Sequence, residues 1–217
     1  MPTLRPSPGP RLLTVTLGLG QTVAFASSFY LMGVMGDAIA ADLRLDGALV
    51  VALMSVALAV AAWVGPSAGR WIDARGGRPV LLASSLVFAA GLTLVGVAHG
   101  LAGLVLGMAV IGAGMAIGLY GTPFAILVEA FGDEARRPIT GVALIGGLGS
   151  SIGWPVTLWL EQTLGWRGAC LAWAGAHLLL VLPLTATIVP HAPRRAKAEG
   201  PPAPRVTWDP TMLRLAV

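Results

Sequence analysis

Charged residues divide this chain into long apolar runs. Positions 12–36, 47–69, 79–128, 138–160 and 168–193 contain no Asp, Glu, Lys or Arg. A helix that crosses a bilayer needs about 20 mostly apolar residues. The run at 79–128 is long enough for two such helices and is interrupted by the turn-like pair His99-Gly100. The pattern therefore predicts an all-α protein with six membrane helices, at 12–35, 47–69, 79–98, 101–128, 138–160 and 168–189. So many runs of this length cannot all be covered by a chain of 217 residues, which argues against a soluble core. The first run is also a poor secretory signal: its apolar core is too long, no small-residue cleavage site stands out, and more spans follow.

Composition agrees: 56% of residues are hydrophobic and 11% charged, with a mean hydropathy of +0.80. Soluble domains are about a quarter charged. The net charge of +4 is spread among the apolar runs without forming a basic face, so nucleic acid is not an expected partner. A single cysteine, Cys170, allows neither an internal disulfide nor a cysteine metal cluster, and packing is its expected role. Richness in Ala, Gly and Arg with one lysine, Lys197, fits a GC-rich bacterial gene and hence a bacterial plasma membrane.

Basic residues in the short loops set the orientation, because they collect on the cytoplasmic side. An N-terminus inside the cell puts Arg5, Arg11, Arg70, Arg75, Arg78, Arg136, Arg137, Arg194, Arg195, Lys197, Arg205 and Arg214 on that side, leaving only Arg44 and Arg167 outside. Both termini are thus expected in the cytoplasm. Trp71 near the inner surface, with Trp159 and Trp166 near the outer, fits the interfacial aromatic preference or ordinary packing. Residues 190–217 form a proline-rich basic linker that turns apolar again at its end, as if a seventh helix were starting.

The loop between the second and third helices carries the most informative motif. Gly65 and Gly69 form a small-xxx-small face suited to close helix approach. Asp73, just past the predicted helix end, can pair with Arg75 or Arg78 or face a helix N-terminus. Gly76 and Gly77 supply a tight turn, and Pro79 suits a first helical turn. Similar glycine pairs at Gly103/Gly107, Gly114/Gly118 and Gly149/Gly153 predict further tight crossings.

This segment resembles the signature loop of the major facilitator superfamily. Gly69, Asp73, Gly76, Arg78 and the run Pro79-Val80-Leu81-Leu82 match it. Ala74 and Gly77 stand where basic residues are usual, and Arg75 compensates for one. Segments 136–141 and 165–169 resemble pieces of monocarboxylate-porter and oxalate/formate-type members. Met108 replaces the drug-antiporter arginine of the fourth helix, and Gly149–Pro155 matches the antiporter glycine-proline signature only in part, so drug/proton antiport is not implied. A faint repeat, Trp71-Ile72-Asp73 with Arg78 against Trp159-Leu160-Glu161 with Arg167, fits an inverted three-plus-three arrangement.

The resemblance implies half of a twelve-helix transporter that moves a small organic solute by alternating access, with a carboxylate suggested by the subfamily segments. The loop residues Gly65, Gly69, Asp73, Arg75, Gly76 and Arg78 would act as a conformational gate against a second six-helix half or a second copy of the chain. A contrasting expectation is a non-transporting remnant or a scaffold that associates with other helices.

No Asp, Glu, Lys or Arg lies in the middle of a predicted helix, so this half has neither a proton-coupling carboxylate nor an arginine to clamp an anion. Such a group would come from the other half, or the transporter is a facilitator. What remains is neutral. Gln21, Phe25 and Ser28 share one face of the first helix, and Tyr120 and Thr122 lie in the fourth. The resemblance places these two helices beside the central cavity, making these five residues candidates for the substrate path; packing and interhelical hydrogen bonding are the plainer role. His177, in the sixth helix, is read as a neutral histidine bonded to a neighbouring helix rather than a proton relay. Glu129, with Asp133, Glu134, Arg136 and Arg137, reads as an interfacial charge network. No motif for catalysis, a cofactor or a metal is present.

Overall fold

The computed structural model describes residues 9–190. The expected linker and the start of a seventh helix lie outside that range. The helices are α1 (Pro10–Ser27), α2 (Leu31–Leu43), α3 (Gly47–Arg75), α4 (Gly77–Gly96), α5 (Leu101–Gly118), α6 (Gly121–Phe131), α7 (Arg136–Ala176) and α8 (Leu182–Ile188). A 3-10 turn at Gly132–Ala135 precedes α7, and a π-helical turn at His177–Val181 joins α7 to α8. Four largely helical stretches are long and apolar enough to cross a membrane. The last, Leu101–Ile188, has 88 residues, about 130 Å if straight. It folds back on itself at Gly132 (φ +54°) and Gly165 (φ +70°), left-handed conformations that glycine adopts without strain. Six spans result: α1 with α2, α3, α4, α5 with α6, α7 as far as Gly165, and the remainder of α7 with α8.

Contacts fix how the spans alternate. Gly18 lies against Ile145, Gly149 against Thr22 and Phe25, and Gly153 against Ala26, so the first and fifth spans climb in parallel. Gly91 meets Ile111, Gly114 meets Phe88 and Gly118 meets Ser84, so α4 and α5 run antiparallel. One end of the bundle therefore gathers Asp42, Ala98 and Arg167. The opposite end gathers Arg11, Arg136 and Arg137 around a cleft of about 920 Å³, which Asp133 and Glu134 also line. The charge separation that the loops predict is thus present in space.

Two arginines fasten the ends reciprocally. Arg78, in the first turn of α4, donates to the carbonyl of Ala186 in α8; Arg167, opening the sixth span, donates to the carbonyl of Ala98 just beyond α4, at 3.0 Å. Each cation thus meets a carbonyl near the C-terminal end of the other span, where the helix dipole favours positive charge. Arg167 also pairs with Asp42 and lies 4.1 Å over the Trp166 ring, while the Trp166 indole donates to Asp42 at 3.2 Å. Trp166 is consequently buried under this clamp instead of exposed at the interface. Arg78→Ala is expected to cost about 1.5–3 kcal/mol, the range for a charge-assisted bond. Arg167→Ala should cost less, because its ion pair is more than a third exposed and screened by water. Thermal melting of both variants in detergent checks the order.

The second span extends the prediction: the charge-free run ends at Arg70, yet the helix continues to Arg75. Asp73 is therefore within the last helical turn, not beyond it. Gly76 (φ +79°) alone separates α3 from α4, and Gly77, buried against Ile126 and Thr122, already opens α4. The glycine pairs divide. Gly107, Gly114, Gly118, Gly149 and Gly153 sit at crossings, whereas a Cβ at Gly65 or Gly69 would meet nothing within 4 Å. The expected close approach at Gly65 and Gly69 is thus not made among the described residues: this face of α3 is open, while the neighbouring Ala68 packs inward.

Candidate functional site

Two spans are broken within the bundle. The first has an 18-residue α1 and then, after residues 28–30, the 13-residue α2. The fourth has an 18-residue α5 and then, after Leu119 and Tyr120, the 11-residue α6. As these spans run in opposite directions, their breaks are displaced toward opposite ends. Irregular backbone at membrane depth is tolerated where it is buried in protein or lines a cavity, and its polar groups need partners.

Those partners are three of the predicted site residues. Gln21 Nε2 donates to the Gly118 carbonyl at 2.8 Å, and Thr122 Oγ1 donates to the Ile117 carbonyl at 2.6 Å. Both acceptors end α5 just before the bend, where Leu119 is extended (φ −77°, ψ −176°). At the other break Ser28 has left the helical region (φ −123°, ψ −69°) and its hydroxyl turns back to the Ala24 carbonyl. Serine hydroxyls that bond the preceding turn often bend a helix. Gln21, Ser28 and Thr122 are all buried.

Phe25 and Tyr120 stay half-exposed and pack together at 4.9 Å between ring centroids. They form the centre of a longer aromatic strip. Tyr120 stacks on Phe124 at 5.1 Å, Phe25 meets Phe29 edge-on at 6.4 Å, and Phe29 meets Tyr30 at 5.6 Å. Five rings thus run from one break to the other, with Phe29 exposed and the other four partly so. Phe29, Tyr30 and Phe124 were not singled out in the sequence. The available signal was the four-residue spacing of Phe25 with Phe29 and of Tyr120 with Phe124, which stacks side chains on one helical face. Such a surface can hold a solute by stacking and dispersion, with cation–π attraction for a positive group.

The residues expected to form a gate lie at the arginine-rich end. Asp73 and Arg75 are exposed, Gly76 and Arg78 half-buried. Asp73 makes no ion pair among the described residues, so the pairing expected with Arg75 or Arg78 is not formed there. Cys170 and His177 are both buried, and His177 bonds Ser27 across to the first span at 2.9 Å. No group of three or more His, Cys, Asp or Glu that could hold a metal occurs among the described residues.

An all-helical bundle with apolar spans, opposed polar ends and two broken helices defines a polytopic membrane protein. The family model of the Major Facilitator Superfamily matches residues 17–215, nearly the whole chain. The chain belongs to that superfamily, whose members are membrane transporters and not enzymes. No curated protein matches it.

Proposed function

We propose that this chain forms the N-terminal six-span half of an alternating-access transporter for a small organic solute in a bacterial plasma membrane, with both termini cytoplasmic. One observation carries the proposal: the aromatic strip that spans the paired breaks of the first and fourth spans. Discontinuous helices at repeat interfaces are where transporters build their sites, and halves that rock about such a site expose it to each side in turn. The near-equal break positions and the reciprocal arginines support an inverted three-plus-three repeat. Phe25 and Tyr120 line the path, and Gln21, Ser28 and Thr122 support it by holding the broken backbone.

The lipid bilayer is the solvent for the outer surfaces, where residues such as Trp63, Leu179 and Leu144 are 84%, 82% and 70% exposed. The outward face of α3, with Gly65 and Gly69, is open to a C-terminal half or a second copy. There Asp73, Arg75 and Arg78, with Gly76 as the bend, gate the inner surface. A carboxylate remains the substrate class suggested by the monocarboxylate-porter resemblance. Because the strip has no cation, the opposing half would supply it.

Uptake by the full-length transporter in proteoliposomes, screened over organic acids and neutral aromatic solutes, tests this reading. Asp73→Ala is expected to slow turnover at least tenfold while leaving solute binding within about twofold, the signature of a gate. A folded protein that moves none of these solutes would support the scaffold reading instead.

A further inference from the structure

Apart from the aromatic strip, the bundle encloses a second polar feature. A small cavity lies between the first, third, fourth and sixth spans, with Gln21, Ser84, Ser85, Phe88 and His177 in its wall. The space open to a water's centre is about 10 Å³, room for one water molecule.

The hydrogen bonds around this cavity determine what it lacks. The Ser27 hydroxyl donates to the Val23 carbonyl at 2.8 Å, because a carbonyl can only accept. Its single proton is then spent, so the 2.9 Å contact with His177 Nε2 requires the imidazole to donate. With the Ser27 proton so assigned, His177 is the Nε2–H tautomer and its Nδ1 is a lone-pair acceptor. That atom is buried with no hydrogen-bond partner. Gln21 donates an amide hydrogen to the Gly118 carbonyl, and its Oε1 is likewise buried without a partner. Both residues are 1% exposed. Four hydroxyls line the cavity, those of Thr16, Ser84, Ser85 and Thr185, and none bonds either acceptor; Ser84 and Ser85 donate to the Leu81 carbonyl at 2.7 and 3.4 Å.

Two residues of the cavity wall thus each carry a bare acceptor, and a neutral molecule with two donor hydrogens would meet both. Leaving each acceptor unmet in an apolar interior costs about 1–3 kcal/mol. We infer that the cavity is a binding site for a single structural water, which donates one hydrogen to Gln21 Oε1 and the other to His177 Nδ1. A sodium ion fits poorly, since no carboxylate lines the cavity and an imidazole nitrogen is a weak ligand for it. An added proton fits poorly too: from none of the four spans does an Asp, Glu, Lys or Arg face the site, so an imidazolium would have no counter-ion. The water completes a neutral link from the sixth span through Gln21 to the Gly118 carbonyl of the fourth. It ties Ser27, beside the first break, to the residue that supports the second.

The test uses the whole chain in lipid nanodiscs with ¹⁵N-labelled histidine. Substituting His99→Asn and His191→Asn leaves His177 as the only histidine signal. Solid-state NMR is expected to show the neutral Nε2–H tautomer from about pH 5 to 8. Nδ1 should appear at a hydrogen-bonded acceptor shift and receive magnetisation from a water proton. Gln21→Leu should abolish that transfer while the tautomer persists. An Nδ1 signal at the shift of a bare nitrogen, without transfer, would mean a dry cavity and overturn the inference. An Nδ1–H tautomer would overturn it, as would an imidazolium within that pH range. A sodium-dependent Nδ1 shift would replace the water with a cation and also overturn it.

Discussion

Gly112→Leu should leave almost no folded protein. A Cβ at Gly112 would overlap the carbonyl oxygen, carbonyl carbon and Cα of Ala57, so α3 and α5 meet there backbone to backbone. A flexible side chain can move aside; a neighbouring helix backbone cannot without separating the two spans. Overpacking costs about 1–3 kcal/mol when side chains can adjust, and Gly112→Ala is expected at or above the upper end of that range. Leucine adds three more carbons at the same point and should exceed the stability of the bundle, which for a typical protein is about 5–15 kcal/mol. Gly65→Ala provides the contrast. It meets open space and should change stability by less than about 1 kcal/mol, in the stabilising direction, because alanine is the better helix former. The yield of monodisperse protein from detergent extracts, followed by melting temperature, measures all three variants.

The second large effect falls on transport. Tyr120→Ala removes the ring that contacts both Phe25 and Phe124, dividing the aromatic strip at its centre. Each aromatic pair contributes about 0.5–1.5 kcal/mol beyond simple burial. Losing two, with the solute contacts they organise, is expected to lower transport kcat/KM by roughly ten- to a hundredfold, since about 1.4 kcal/mol is a factor of ten. Tyr120→Phe keeps the ring and loses only a 3.4 Å contact from its hydroxyl to the Ala143 carbonyl, so it should transport within about threefold of the parent. Equal transport by the alanine and phenylalanine variants, each shown to be folded, would remove the strip from the path.

The extent to which the fold can be read from the sequence follows from what each signal measures. A gap between charges reports how long the chain stays in lipid, and it locates all six spans. It does not report where a helix ends: α3 carries Arg70, Asp73 and Arg75 in its final turns because a helix can project beyond the hydrocarbon core. The breaks in the first and fourth spans are equally invisible to hydropathy, since Ser27, Ser28 and Leu119 are as acceptable in a straight membrane helix as in a bent one. Gln21 and Thr122 are legible as polar residues needing partners, but their partners are backbone carbonyls that only the bends bring within reach. The glycine pairs show the same limit. Gly114/Gly118 and Gly65/Gly69 have identical spacing, yet the first pair rests on Phe88 and Ser84 and the second faces outward. Spacing sets which residues share a helical face; the neighbours of that face are decided by the other spans.

The central claim is that the spans alternate so that Arg75 and Leu164 emerge on opposite sides of the membrane, with the arginine-rich end inside. Cysteine labelling tests it directly. Cys170 is the only native cysteine and is buried, so Cys170→Ser provides a clean background into which Arg75→Cys and Leu164→Cys are introduced separately. Both positions are exposed. With a membrane-impermeant maleimide, the account predicts labelling of position 164 in intact cells and of position 75 only after permeabilisation. Labelling of both positions from the same side would contradict it.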